Sequence, residues 1–127
     1  MSLELTLLED RLAVSRLAPD AAVPAWALEA AGVLSITRTA SELSLVTAEA
    51  AVPEGVVSAP GWRAFALAGT FDFALTGILL AILAPLAEAG VGIFAFSTYD
   101  TDYVMVRERD VDGAVAALRA ADHDVSV

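Results

Sequence analysis

The 127-residue chain contains no cysteine, which excludes disulfides, thiolate catalysis and cysteine-based zinc sites together. It also has no lysine. Its seven basic residues are all arginine (Arg11, Arg16, Arg38, Arg63, Arg107, Arg109 and Arg119), and they are scattered along the chain. Without a basic run there is no electrostatic footprint for a phosphate backbone, and seventeen acidic residues oppose docking on anionic lipid. Nucleic acid and membrane surfaces are therefore excluded as expected partners. No glycine-rich phosphate loop is present, since Gly90-Val91-Gly92 reads as the exit of a helix. Long apolar runs are missing too. Residues 73–87 form the longest uncharged stretch, short of the ~20 residues a membrane span needs and interrupted by Thr76, Gly77 and Pro85. The opening Met1-Ser2-Leu3-Glu4-Leu5 lacks a basic region followed by an apolar one, so no secretory signal is expected and a cytoplasmic location is.

What is present is apolar and acidic. Hydrophobic residues make up 57% of the chain, with a mean hydropathy of +0.68 and a formal charge of −10. That much apolar side chain at single-domain length favours burial against a second subunit, and a homodimer is expected.

Periodicity divides the chain into short elements. Leu3, Leu5 and Leu7 alternate with polar residues, and a second strand is predicted over 12–17, the two forming a hairpin. A short helix over 25–31 is stopped by Gly32, and strands follow at 33–37 and 43–47. Residues 48–60 read as a short helix or a loop. The second half predicts a strand at 62–68, a helix at 75–89, strands at 92–97 and 103–107, a helix at 111–121 and a last strand at 124–127. That order is β-α-β-β-α-β, an α+β, ferredoxin-like pattern giving an antiparallel sheet with two helices on one face.

The halves also resemble each other. At a separation of 60 residues, Gly32 lies over Gly92, Thr37 over Ser97 and Glu42 over Asp102. The chain is therefore expected to hold two tandem units: a degenerate one over 1–60, its second helix reduced to about 50–54, and a complete one over 61–127.

The polar link Ser97-Thr98-Tyr99-Asp100-Thr101-Asp102 stands out in so apolar a chain. Strand connections commonly use Gly, Asn or Pro, whereas this one presents hydroxyls, a phenol and two carboxylates. Its expected neighbour is the segment 69–78, which opens a helix whose free N–H groups and positive dipole end suit a carboxylate. Gly77 would let a ligand approach the backbone there, and Asp102 or Asp100 would pair with an ammonium. Together these form a clamp for a free amino acid. The plainer reading makes Asp72 an N-cap, Gly77 a packing residue and the link a solvated turn. Catalysis has little support: the single His123 reads as a turn residue between helix and strand, and no serine stands beside it in a recognisable motif. No enzyme activity, metal or cofactor is expected.

The strings Leu75-Thr76-Gly77-Ile78, Pro85-Leu86-Ala87-Glu88-Ala89-Gly90-Val91 and Phe96-Ser97-Thr98-Tyr99-Asp100-Thr101-Asp102-Tyr103 resemble the ACT-domain proteins. Among these, the CASTOR-type and aspartokinase-regulatory tandem modules are the most similar. The first half, with Pro24-Ala25-Trp26 and Ile36-Thr37-Arg38-Thr39 leading to Glu42-Leu43-Ser44, resembles the first unit of that group. The resemblance implies two ACT-like units and a regulatory, allosteric, amino-acid-binding role. It places Thr76, Gly77 and Ile78 at the ligand's carboxylate end and Ser97, Thr98 and Tyr99 along the pocket. Asp102 matches the acid that engages a cationic group in arginine-sensing relatives. The chain has fewer units than those sensors, which implies a pocket completed by a second chain. The alternative is a ligand-free interaction module that dimerises and binds a protein partner.

Overall fold

A computed structural model of the chain describes residues 1–69 and 76–127. Asp72, the head of the predicted helix at Leu75 and most of the segment 69–78 fall outside the described residues. The fold is α+β, in two compact units of the ferredoxin-like kind. The first unit is Asp10–Trp62; the second joins Met1–Glu9 to Arg63–Val127.

The second unit holds β1 (Glu4–Leu7), the latter part of β5 (Val57–Leu67), α2 (Ile78–Glu88), β6 (Ile93–Ser97), β7 (Asp102–Arg107), α3 (Val111–Ala120) and β8 (Asp124–Ser126). Its sheet order is β6-β7-β5-β1-β8. The pairs β6/β7 and β5/β1 are antiparallel, whereas β1 and β8 run parallel, with Leu5 opposite Val125. Alternate residues Leu3, Leu5, Phe65, Leu67, Val104, Val106 and Val125 turn one face of the sheet toward Ile82, Leu86, Ala114, Val115 and Leu118 of the two helices. Each large side chain fully buried there contributes about 1.5–3 kcal/mol.

The N-terminal hairpin expected from the alternation does not form. Strand β1 lies between β5 and β8, and β2 (Leu12–Leu17) pairs with other strands. The amide of Leu8 already donates to the carbonyl of Ala64 at 2.9 Å, so the β1 ladder continues onto β5. Short separation in sequence suggested a partner that long-range pairing overrode.

The first unit holds β2, α1 (Ala25–Leu28), β3 (Ser35–Arg38), β4 (Leu43–Ala48), a 3-10 turn at Glu49–Ala51 and the opening of β5. The order is β3-β4-β2-β5, all antiparallel. Leu43, Leu45 and Ala27 form its core, covered by Trp26, Leu17 and Leu34. The stretch read as helix or loop is a 3-10 turn followed by strand from Val57. Pro60-Gly61 masked that strand: the register shifts between Leu12 and Val14, Gly61 takes φ +81°, and its amide donates to Oε1 of Glu49 at 2.8 Å. A bulge of this kind accepts residues that a regular ladder refuses.

Strand register sets the repeat at 59 residues rather than 60. Arg38 pairs with Leu43 and Ser97 with Asp102, each pair closing a hairpin across four residues. Leu45 and Val104, both fully buried, then correspond, as do the 3-10 turns Glu49–Ala51 and Glu108–Asp110. Aligning the glycines put Leu45 over Met105, on the opposite face, because one residue of slip inverts a strand.

Candidate functional site

In the second unit the β6–β7 turn is built on a cross-strand aromatic stack. Phe96 faces Tyr103, with ring centroids 5.1 Å apart and planes 6° from parallel. Next outward, Ser97 faces Asp102, and the serine hydroxyl donates to Oδ1 of that carboxylate. The amide of Thr98 donates to the carbonyl of Thr101 at 2.8 Å, and the amide of Thr101 donates back to Oγ1 of Thr98 at 3.3 Å. A hydroxyl that satisfies its own turn in this way replaces the glycine such a connection usually needs. Tyr99 stands at the tip, 80% exposed, and Asp100 beside it is exposed. The hydroxyl of Thr101 reaches outside the turn and donates to the carbonyl of Leu67 at 3.2 Å. The turn is thereby anchored at the end of β5, where the chain leaves toward α2.

Thr76, Gly77 and Ile78 lie together at the head of α2. Gly77 is the N-cap residue, left-handed at φ +79°, without a side-chain cap; its carbonyl accepts from the amide of Ala81 at 3.0 Å. Among the described residues a side chain there would meet no atom within 4 Å, and the positive φ itself favours glycine. Thr76 is exposed, and Ile78 packs half-buried against the core. The structure thus gathers Ser97, Thr98, Tyr99 and Asp102 in one turn and Thr76, Gly77 and Ile78 at one helix start.

Thr101 escaped sequence reasoning because its partner lies 34 positions away. His123 lies between α3 and β8, as the order of elements predicts, and it is 5% exposed. Its Nδ1 accepts from the amide of Leu3 at 3.1 Å, which leaves the proton on Nε2, and Nε2 donates to the carbonyl of Ala81 at 2.7 Å. Pro85 lies four residues beyond Ala81 and has no amide to offer that carbonyl. The histidine therefore supplies the hydrogen bond that the proline removes, and neither ring nitrogen is left to catalyse or to bind a metal. Among the described residues no group of three His, Asp or Glu side chains is placed to hold a metal ion. An apolar groove of about 360 Å³ runs along α3 beside Leu7, Val111, Val115 and Val127. Its single cation, Arg119, is tied to the carbonyl of Val125 at 2.7 Å.

These features define an α+β module with a polar turn held against the end of β5. A family model described as the ACT domain matches residues 57–120, which is 64 of 127 positions, and the chain belongs to the ACT domain family. A second model, for an N-terminal domain, matches residues 10–55. The chain is 38% identical over 69 residues to the cytosolic arginine sensor for mTORC1 subunit 1 of Bos taurus, covering 54% of this chain and 19% of that protein. It therefore spans about a fifth of the length of that curated relative. A solved structure of a protein from Agrobacterium tumefaciens has a TM-score of 0.92 at 38% identity, covering 98% of this chain and 92% of that one. The ligand-free regulatory subunit of aspartate kinase from Thermus thermophilus shares the fold, with a TM-score of 0.66 at 12% identity. That match covers 92% of this chain and 95% of the subunit.

Proposed function

We propose that the chain is a regulatory, non-catalytic module that binds a free amino acid at the β6–β7 turn and the head of α2. The observation that carries this reading is the Ser97–Asp102 pair, a carboxylate oriented by a hydroxyl in a turn anchored to β5. Asp102 receives the cationic group of the ligand, with Ser97 and Tyr99 beside it. The amides at the start of α2, near Thr76, Gly77 and Ile78, receive its carboxylate. Membership of the ACT domain family and similarity to a protein named as an arginine sensor support the same assignment. The reading includes cytoplasmic action, allosteric output and a homodimer whose second copy completes the pocket. Exposed Leu80 and Ile93 in the second unit favour such an association.

The test is thermal stability against a panel of amino acids beginning with arginine and lysine. A ligand at a hundred times its dissociation constant stabilises the native state by about 2.7 kcal/mol. The expected result is a selective shift that disappears in Asp102→Ala. No shift with any amino acid at millimolar concentration would overturn the reading.

A further inference from the structure

The exposed residues of α3 are Asp112, Gly113, Ala116, Arg119 and Ala120, while Ala114, Val115 and Leu118 are buried. Spacings of three, four and seven put the exposed set on one face of the helix. Its middle is uncharged, with an acid in the first turn and a base in the last. Each of these charges suits the end of the helix dipole where it stands. Among the described residues neither Asp112 nor Arg119 has an ionic partner within the chain. The apolar groove of about 360 Å³ opens along the same helix, lined by Asp112, Val115, Ala116 and Arg119 together with Leu7 of β1.

Charge selects what can cover this face. The chain carries a net charge of −10, so a second copy is repelled from most directions, whereas here one acid balances one base. A parallel helix would set Asp112 against another Asp112. An antiparallel copy of α3 sets Asp112 against Arg119 at both ends at once. Seven residues separate the two, roughly 10 Å along the axis, so both contacts close about one two-fold axis passing between Val115 and Ala116. A partner of a single charge would satisfy only one end. Gly113, Ala116 and Ala120 keep the face low, which suits helices about 8 Å apart. Among the described residues a Cβ at Gly113 would meet no atom within 4 Å, and glycine inside a helix costs about 1 kcal/mol relative to alanine. A closely packed second helix gives that residue a reason. Arg119 is steadied by the bond from its Nη2 to Val125, and its other guanidinium donors are left for a partner.

We propose that α3 is a self-association surface on which two copies pack antiparallel, Asp112 of each opposite Arg119 of the other. The contact is isologous, so every interaction in it is made twice. It rests on the homodimer in the functional reading and not on the ligand. It is also distinct from the association that Leu80 and Ile93 favour, since those residues lie on α2 and β6.

The test is charge exchange on the full chain, read by analytical ultracentrifugation at submillimolar concentration. Asp112→Arg and Arg119→Asp each set like charges together at both ends of the contact, and each should halve the mass of the assembly. Mixed in equal amounts, the two variants present complementary faces and should recover the wild-type mass, with one chain of each kind in every pair. Ala116→Arg, at the exposed centre of a helix that accepts arginine readily, should also halve the mass. Arg119→Asp gives up the bond to Val125 as well, so circular dichroism checks its fold. If that variant is unfolded, Asp112→Arg and Ala116→Arg decide the matter between them. An assembly indifferent to both of these overturns the contact alone, and so does a mixture of folded variants that stays at half mass. A wild type that sediments as a single chain overturns the contact and the homodimer together, whatever arginine does to its thermal stability.

Discussion

Thr98 and Asp102 sit four positions apart in one turn and have separable jobs. The hydroxyl of Thr98 serves its own turn, and Thr39 repeats those bonds in the first unit beside quite different closing residues. What both copies keep is turn architecture; what one copy alone holds is a candidate for recognition. Thr98→Ala should therefore lower stability by about 0.5–1.5 kcal/mol, the net worth of a hydrogen bond, and Thr39→Ala by a similar amount. Asp102→Ala loses the bond from Ser97 at the end of the turn and should cost no more than about 1 kcal/mol, while weakening arginine or lysine binding at least tenfold. Urea unfolding and calorimetric titration of the three variants separate these effects. If Thr98→Ala loses ligand without losing stability, Thr98 contacts the ligand directly, as the family resemblance implied.

Pro85 and His123 form a complementary pair joining α2 to the turn before β8. Proline inside a helix normally costs about 3 kcal/mol or more, partly through the carbonyl it orphans, and here that carbonyl, on Ala81, takes its donor from His123. The two substitutions should couple. His123→Phe alone should cost about 1–3 kcal/mol, because Ala81 and the amide of Leu3 both lose a buried partner. In a Pro85→Ala background the restored helical amide serves Ala81, and the cost of His123→Phe should fall by roughly 1 kcal/mol. Additive costs in a double-mutant cycle would dissociate the pair. None of this was legible in the sequence, where His123 stands between Asp122 and Asp124 like a solvated residue; its burial depends on Leu3 and Ala81, far away along the chain. Legible elements were those whose signal is local. Alternation located β6 and β7, and the period of α3 marked Ala114, Val115 and Leu118, all buried. Strand partners, the repeat register and the Pro60-Gly61 bulge depend on which strands meet, and periodicity carries no such information.

At the scale of the whole molecule the governing quantity is charge. The candidate turn was visible in the sequence because six polar residues in succession are conspicuous in an apolar chain. The bond that anchors it, from Thr101 to Leu67, was not, since it spans segments distant in sequence. Composition did display the net charge of −10, and it has two consequences of opposite sign. Self-repulsion destabilises the compact state, whereas the same field attracts a cation toward Asp102. Between about 10 and 150 mM salt the screening length falls from ~30 to ~8 Å. Over that interval the melting temperature without ligand should rise by about 2–4 °C, the equivalent of roughly 1 kcal/mol. The affinity for arginine should fall severalfold over the same interval, mostly through a slower association rate. Scanning calorimetry and titration along one salt series measure both. A neutral amino acid offers an internal control, because its net charge gives the field little to attract. Equal salt dependence for arginine and for a neutral ligand would remove the cation from the recognition step. Opposed trends would place the ligand's positive group in the acidic field that Asp102 focuses.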